Sequence, residues 1–436
     1  MNYQQTEIFP KNFQTDNLNE SGTIKKFIKS IIEDDQPDSF FIYDLSHLAK
    51  KFIQWKTHLP NIDIFYAVKC NNENAILKFL AELGCGFDCA SKGEIDQVLK
   101  LSEIQAERII YSHPCKQTEH LIHAKNKGVN TTTFDSVEEL EKIKLYHSKA
   151  KVVLRIKTYD EGSAIAFSKK FGAAEDQWET LIAKCKELDL NLIGVSFHVG
   201  TGCYDTSTFA KAIADSAKIF ALASNYDYEL TLLDIGGGFP GSDSAQPSFE
   251  EFADTINISI EKHFSDKKNL EIVAEPGRYF AEGCLFVVTK IVSRKVWDCE
   301  SLIKEAQEVQ KILNREEIDK NSEEILKEAQ EKLIKKSAKP IYFIKESTTL
   351  SFSNAIFEEF SYKPKLLEDH QDQEVLQSDV YGNSGCKYEL IASNVYLPLL
   401  NLNEFVYFEN MGAYSISIAN GMSYNGNKLS DKIFYC

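Results

Sequence analysis

Several features that would assign this chain to a particular class of protein are absent from it. No apolar run reaches the length that spans a bilayer, and residues 1–30 are polar, without the apolar core of a signal peptide. The ten cysteines form neither CxxC pairs nor a cysteine–histidine spacing, so the sequence predicts neither a metal site nor a disulfide framework. Reduced thiols in the cytoplasm are the simplest interpretation.

Positive charge is also scarce. The chain has 49 Lys and Arg residues against 65 Asp and Glu residues, which gives a net charge of −16. Such a charge disfavours binding to nucleic acids and to anionic membranes. The 436 residues are enough for two domains, and 43% hydrophobic with 26% charged residues is typical of a globular protein.

What the chain does contain is a regular alternation of strand-length apolar runs with stretches of helical spacing. This alternation favours a parallel sheet, and eight units over this length favour a closed (β/α)8 barrel. A doubly wound sheet is the alternative. The eight predicted strands are 64–69, 85–89, 108–112, 131–134, 152–156, 192–198, 230–235 and 271–275.

The pattern changes after Phe280 and predicts a second domain built from β-strands, as a sandwich or barrel. The predicted organisation is a polar lead-in at 1–39, a barrel at 40–280 and a β domain at 281–436, which the strand at 40–44 is expected to join. A charged stretch at 298–339 has helical spacing and is interpreted as a solvated helical insertion. The predicted strands of the β domain are 285–292, 340–344, 388–398, 405–409 and 414–419.

Polar side chains follow the predicted barrel strands. In a barrel these strand ends share one face, where active sites form. Any one residue has an ordinary explanation: a lysine at a strand end can reach water, and Asp135 can cap the helix that starts at Val137. Such explanations do not cover the whole set. Its members are Lys69, Asp88, His113, Asp135, Arg155, His198, Asp234 and Glu275.

Two features of these strand ends, a lysine and a run of glycines, indicate a cofactor. Lys69 follows an apolar strand, where partial desolvation disfavours the ammonium form and leaves the amine free to attack a carbonyl. The run Gly236–Gly238 exposes backbone N–H groups that suit a phosphate, although a tight turn is the alternative. An aldehyde-seeking amine beside a phosphate cradle suggests pyridoxal phosphate. Glu275 would then hold the ring nitrogen, and His198 would stack on the ring unless it is an ordinary core histidine.

Six motifs carry a family resemblance. The chain resembles the eukaryotic ornithine decarboxylase family, among the fold-type III pyridoxal-phosphate decarboxylases, from about Phe40 to the C-terminus. The motifs are YAVKCN at 66–71, FDCASKGE at 87–94, HVGTGC at 198–203, DIGGGFPG at 234–241, EPGRY at 275–279 and ENMGAY at 409–414.

The resemblance implies an activity and a set of site residues. The implied reaction is decarboxylation of L-ornithine to putrescine, in polyamine biosynthesis, by a head-to-tail homodimer with shared active sites. Lys69 would carry the cofactor covalently, and Thr201 would offer a hydroxyl where the family usually has serine. The other cofactor-binding positions would be Asp88, Arg155, His198, Gly238, Glu275, Gly277, Arg278 and Tyr414.

The substrate side departs from the family pattern. The family has Cys-Asp-Gly-Leu-Asp after Trp-Gly-Pro-Thr, where the cysteine donates a proton and the next aspartate binds the distal ammonium of ornithine. An alignment without gaps puts Gly385 at the cysteine position and Cys386 at the aspartate. A compensating insertion and deletion would keep Cys386 as donor but put Lys387, which repels an ammonium group, at the aspartate. The family's Tyr-Asp pair appears as Phe357–Glu358.

Two hypotheses follow. The first is a working decarboxylase of ornithine or of another basic amino acid such as arginine, lysine or diaminopimelate. The second is a regulatory relative that resembles the antizyme inhibitors. The retained cofactor residues favour the first. The region 116–140 resembles the family's antizyme-binding element and contains Lys116, Lys125 and Lys127, which makes antizyme a possible partner without deciding between the hypotheses.

Overall fold

The computed structural model describes residues 21–35, 37–101, 104–296, 339–358, 362–370, 373–419 and 429–436. The expected insertion at 298–339 therefore lies outside the described residues, except for its last position. None of the helices in the described ranges is both long and apolar enough to cross a bilayer.

The secondary structure alternates strands and helices up to residue 281 and is mostly β-strand afterwards. The helices are α1 Ser21–Asp35, α2 Leu45–His58, α3 Asn74–Glu82, α4 Lys92–Leu101, α5 Thr118–Asn126, α6 Val137–Tyr146, α7 Trp178–Glu187, α8 Ser207–Ser224, α9 Phe249–Phe264, α10 Arg278–Ala281 and α11 Asn354–Phe357. The strands are β1 Ser39–Tyr43, β2 Asp63–Ala67, β3 Gly86–Cys89, β4 Ile109–Tyr111, β5 Thr131–Phe134, β6 Lys151–Ile156, β7 Ser163–Ile165, β8 Asn191–Phe197, β9 Thr201–Cys203, β10 Leu232–Asp234, β11 Glu271–Ala274, β12 Leu285–Val296, β13 Pro340–Ile344, β14 Lys365–Leu366, β15 Leu376–Tyr381, β16 Leu390–Leu397, β17 Phe405–Phe408 and β18 Ile433–Tyr435.

Eight parallel strands close into a barrel in the order β2-β3-β4-β5-β6-β8-β10-β11. The ring closes where Val273 of β11 pairs with Asp63 of β2. All eight strands that the sequence predicts are present, so the predicted barrel is confirmed and the doubly wound sheet is wrong. A cluster that includes Phe65, Ile110 and Val153 draws its members from strands around the ring and fills the interior.

The second region is a mixed sheet organised by the long strand β12. The first half of β12 pairs antiparallel with β1 and β17, and its second half pairs with β13. The predicted strand at 414–419 is wrong: residues 416–418 form a 3-10 turn. The physical reason lies at Tyr414, whose φ of 53° breaks an extended chain and whose N–H bonds to Cys70 O, 2.9 Å away, at the barrel rim.

The predicted polar lead-in at 1–39 contains a helix within the residues that the structure describes. Ser21–Asp35 forms a helix, and Ile24, Ile28 and Ile31 of that helix are buried in a cluster with residues of β1 and β12. These isoleucines recur at helical spacing and lie on one face. A short stretch with so narrow an apolar face forms a stable helix only once a sheet is available to cover that face.

Candidate active site

Lys69 and Asp88 meet at the carboxyl end of the barrel. Lys69 lies in a 3-10 turn, Val68–Cys70, that follows β2, and its amine forms an ion pair with Asp88 of the neighbouring β3. The Asp88 side chain is fully buried, whereas the Lys69 side chain is 34% exposed. The hydroxyl of Ser112, just after β4, donates to the other Asp88 oxygen. Three consecutive strands therefore fix the amine on the rim.

The protonation state of Lys69 differs from the sequence expectation. Burial lowers its pKa, as expected, but the Asp88 and Glu275 carboxylates raise it by more, so the pKa of Lys69 lies above its ordinary value. The amine is therefore an ammonium ion at neutral pH in this structure. Desolvation alone does not determine the pKa of Lys69, because a buried carboxylate in direct contact has the larger effect.

Glu275 and Asp234 lie at the ends of two adjacent strands, β11 and β10, and β11 pairs with β2, the strand that precedes Lys69. Both side chains are buried, and one oxygen of each, Glu275 Oε1 and Asp234 Oδ2, has no hydrogen-bond partner among the described residues. Burial raises the pKa of Glu275, and the charges of Asp234 and Asp88 raise it further. The site therefore contains a buried carboxyl group with bonding capacity to spare.

His198 follows β8 and carries an aromatic residue against its ring. Its Nδ1 accepts a hydrogen bond from Gly200 N at 3.1 Å, and Phe167 packs edge-on against it with ring centroids 5.0 Å apart. Burial, with the charges of Arg155 and Lys69, keeps the pKa of His198 well below its usual range. A neutral imidazole is suited to stacking. Arg155 itself lies over the Phe171 ring, 5.3 Å from its centroid.

The glycine turn after β10 needs glycine at particular positions. Gly238 has φ +111°, and a Cβ there would lie 2.5 Å from Val199 Cγ2 and 2.8 Å from Gly200 O. At Gly277 a Cβ would lie 2.8 Å from the Cβ of Cys70. Thr201, at the start of β9, is buried and follows Gly200, whose carbonyl oxygen lies close to Gly238. The glycine turn thus leaves its backbone close to the barrel rim without side chains in between.

Arg278 joins the barrel to the second region. It forms ion pairs with Glu282, at 3.4 Å, and with Glu358, and its Nε is buried without a partner in the described part of the chain. The guanidinium lies 5.5 Å from the ring centroid of Tyr414. Arg278, Glu358 and Tyr414, from widely separated parts of the sequence, therefore share one end of the site.

Comparisons with known proteins identify the family. Residues 45–282 match the family described as pyridoxal-dependent decarboxylase, pyridoxal binding domain. The chain belongs to the pyridoxal-dependent decarboxylases. It is 35% identical over 416 residues to antizyme inhibitor 2 of Xenopus laevis, covering 94% of this chain and 85% of that protein. It is 36% identical over 402 residues to ornithine decarboxylase of Mus musculus, covering 92% of this chain and 81% of that protein.

A solved structure shows the same architecture. The arginine decarboxylase of Paramecium bursaria Chlorella virus superposes with a TM-score of 0.81 at 32% identity, over 94% of this chain and all of that one. With family and fold agreeing, the expectations of a decarboxylase and of pyridoxal phosphate as its cofactor are confirmed.

The rim of this decarboxylase fits pyridoxal phosphate on its own geometry. A primary amine for the aldehyde lies at Lys69, held on one carboxylate. Glu275 is a buried carboxyl group at the same rim, as the partner of a ring nitrogen requires. The glycine turn supplies uncovered N–H groups for a phosphate, and Arg278, although it pairs with two carboxylates, adds an Nε that has no partner among the described groups.

The loop between β15 and β16 carries Cys386 and Lys387, two further residues that the sequence predicts at the site. Cys386 is partly exposed, with its N–H bonded to Ser384 Oγ at 3.1 Å, and the Lys387 amine lies 5.3 Å from the ring centroid of Tyr388. Glu389 is buried and accepts hydrogen bonds from Ser384 and from Thr348, the latter at 3.0 Å. Within one chain, the described contacts of Cys386 and Lys387 are thus local to the loop.

Of the two remaining strand-end residues, Asp135 differs from its expected role as a helix cap and His113 does not. Asp135 accepts a hydrogen bond from Gly172 N at 2.8 Å, and the cap of α6 is Ser136 instead. His113 packs against Phe171 on the rim, with ring centroids 5.6 Å apart. Ser112 also lies at this rim and was not predicted, although it follows β4 and directly precedes His113 in the sequence.

Proposed function

We propose that this decarboxylase acts on a basic amino acid, with L-ornithine as substrate and putrescine as product. The observation that supports this most directly is the contact of the Lys69 amine with Asp88, with Glu275 close enough to raise the pKa of that amine. A relative that acts only by binding other proteins has no need of this charge arrangement.

Each rim residue has a task toward the cofactor. Pyridoxal phosphate, when bound, supplies an aldehyde for amines and a ring that withdraws electrons. Lys69 would hold the cofactor through its amine, and Asp88 would accept the proton that this amine must lose. Glu275 would hold the ring nitrogen, neutral His198 would pack on the ring, and Arg155 would balance the carboxylates. The phosphate would be bound by Thr201, Gly238, Gly277, Arg278 and Tyr414.

The substrate end is formed by the second region and by a second subunit. Glu358 forms an ion pair with Arg278, beside the phosphate end of the site, and we assign its carboxylate to the distal ammonium of a basic substrate, which would share it with Arg278. Phe357 precedes it at the end of α11. Cys386 donates the proton to the substrate carbon across the interface of a homodimer with shared sites. Tyr388, Leu390 and Tyr396, on and beside β16, are exposed apolar residues that such an interface would cover.

The regulatory alternative has two observations in its favour and one against it. In its favour, the 381–389 loop lacks the family's cysteine–aspartate pair, and antizyme inhibitor 2 is among the similar proteins. Against it, Lys116 is fully buried in an ion pair with Glu139 at 2.8 Å, so it cannot contact antizyme. Lys127 pairs with Asp96, and Lys125 is exposed. Antizyme binding is thus supported by fewer residues than the sequence suggested.

A cytoplasmic location accords with this role. The nine cysteines that the structure describes are all free thiols, as expected in a reducing compartment.

The decisive experiment is a turnover assay. Purified protein loaded with pyridoxal phosphate is given L-ornithine, L-lysine, L-arginine and diaminopimelate in turn, and carbon dioxide release is measured. We expect release from ornithine, and a Cys386→Ala variant should lower it while Cys115→Ala, at another exposed cysteine, leaves it unchanged. Cofactor absorbance without release from any of the four would favour the regulatory alternative. Release from a different substrate would keep the reaction class and replace ornithine.

A further inference from the structure

Asp234 has no role so far, yet the barrel holds it against Glu275. The two residues end neighbouring parallel strands, β10 and β11. Backbone hydrogen bonds lock the strand ends together, from Ile235 N to Val273 O at 2.9 Å and from Glu275 N to Gly236 O at 2.7 Å. The backbones that carry the two carboxyl groups therefore cannot separate without breaking the barrel.

Two buried oxygens of this pair, one on each carboxyl group, have no hydrogen-bond donor among the described residues. Asp234 Oδ1 accepts from Gly236 N at 2.9 Å, whereas Asp234 Oδ2 and Glu275 Oε1 have no donor among the described groups. Each of the two carboxyl groups shifts the pKa of the other, which places them close together at the neighbouring strand ends. Ionised carboxylates only accept hydrogen bonds, so a hydrogen bond between the two requires that one of them carries a proton.

The surrounding charges agree with a retained proton. Burial raises the pKa of Asp234 to about 7, and it also raises the pKa of Glu275. Asp88, from β3, adds a third negative charge, while Lys69 and Arg155 oppose the rise. His198, from the end of β8, is kept neutral and adds no charge. Two cations against three carboxyl groups leave one carboxyl favoured in its acid form.

We propose that Asp234 and Glu275 share a single proton at neutral pH, which makes Asp234 a positioning residue that donates a hydrogen bond to the Glu275 carboxylate. The acid form of Asp234 fixes one oxygen of Glu275 and leaves the other for the ring nitrogen of the cofactor. Because the proton neutralises one of the two groups, the pair carries one negative charge, which matches one pyridinium cation.

The consequence for the cofactor rests on the function proposed above. An Asp234→Asn side chain still donates to Glu275, so this variant should bind pyridoxal phosphate about as tightly as the wild type. Asp234→Ala removes the donor and should weaken binding about tenfold or more, as for a hydrogen bond to a charged group. If the negative charge of Asp234 were what mattered, both variants would lose affinity alike.

The sharing itself is tested by infrared spectroscopy of the full-length protein, as purified and after removal of bound cofactor. A protonated carboxyl group has its own C=O stretch, distinct from that of a carboxylate and shifted in heavy water. We expect one such band at pH 7 that is lost in Asp234→Asn and is equally lost in Glu275→Gln. Glu346, a buried acid of the second region whose pKa burial also raises, provides the control: Glu346→Gln should leave that band in place.

The outcomes separate the inference from the proposed function. If one band disappears only in Asp234→Asn, or only in Glu275→Gln, the proton is not shared and the inference is wrong. If neither variant removes a band, both groups are ionised and it is equally wrong. Should a variant fail to fold, wild-type protein labelled with 13C at the aspartate or glutamate carboxyl groups gives the same answer. A shared proton in a protein that decarboxylates nothing would refute the proposed function alone.

Discussion

The barrel rim and the 381–389 loop are built in different ways. On the rim, Lys69, Asp88 and Glu275 extend from the ends of strands whose ladder fixes their separation. In the loop, Cys386 and Lys387 are placed by local hydrogen bonds among Ser384, Thr348 and Glu389. The positions of the rim residues are thus determined by the barrel strands. The positions of Cys386 and Lys387 are determined by contacts within and next to the loop.

This difference explains why the cofactor side is easier to assign than the substrate side. A strand end in a closed barrel has one possible neighbour on each side, so a charged residue there has a predictable partner. The two ends of the loop are joined by a backbone hydrogen bond from the N–H of Gly382 to the carbonyl oxygen of the buried Glu389, at 2.8 Å. That closure leaves Gly385, at φ +76° with open space around it, immediately before Cys386.

The largest effect is expected from removing the rim amine. Lys69→Ala should abolish the absorbance of the covalently held cofactor and lower turnover at least about a thousandfold, because no other group replaces a lost nucleophile. Absorbance spectra and carbon dioxide release measure the two effects. Lys69→Arg is the matched control, since it keeps the ion pair with Asp88 and the fold but cannot react with an aldehyde. Turnover that survives in either variant would place the chemistry elsewhere.

The second effect concerns the charge of that amine. Asp88 raises the pKa of Lys69 above its ordinary value, so Asp88→Asn should move the pH at which Lys69 becomes reactive to lower pH, by about one unit or more. Mass spectrometry after labelling with an amine-selective reagent over a range of pH measures this midpoint, with exposed Lys125 as the internal control. The ion pair stabilises the fold below the unfolded-state pKa of lysine, and its contribution is lost as pH rises through the higher folded-state value. An unmoved midpoint would mean that Asp88 does not set the protonation of Lys69.

The sequence predicted the barrel because hydrophobic periodicity records burial, and seven of the eight barrel strands are buried along most of their length. It could not predict the charge of Lys69, because that depends on which carboxylates lie within a few ångströms. It also missed the pairing of Asp234 with Glu275, although both strand ends were noted. Helix α1 was missed since its isoleucines are few and become informative only beside the β1–β12 sheet.

A third effect tests the loop against the rim. Lys387→Asp should lower KM for ornithine about tenfold while leaving the cofactor absorbance unchanged, because an opposing charge becomes an attracting one. Lys387→Gln, which removes the charge without reversing it, should give a smaller change in the same direction. If neither substitution changes KM, Lys387 does not face the distal ammonium, and the gap-free register, with Cys386 at the aspartate position, is favoured.

The smallest effect is expected at the support of the rim. Ser112 is buried and its hydroxyl donates to Asp88, so Ser112→Ala removes one of the two side-chain partners of that carboxylate. A single hydrogen bond contributes about 1 kcal/mol, which corresponds to about a fivefold loss in cofactor affinity, measured by titration with pyridoxal phosphate. Ser196→Ala is the matched control, because Ser196 is a buried serine on the barrel strand β8 whose hydroxyl has no partner among the described residues. Equal losses in the two variants would mean that the effect comes from packing and that the rim holds Asp88 without help from Ser112.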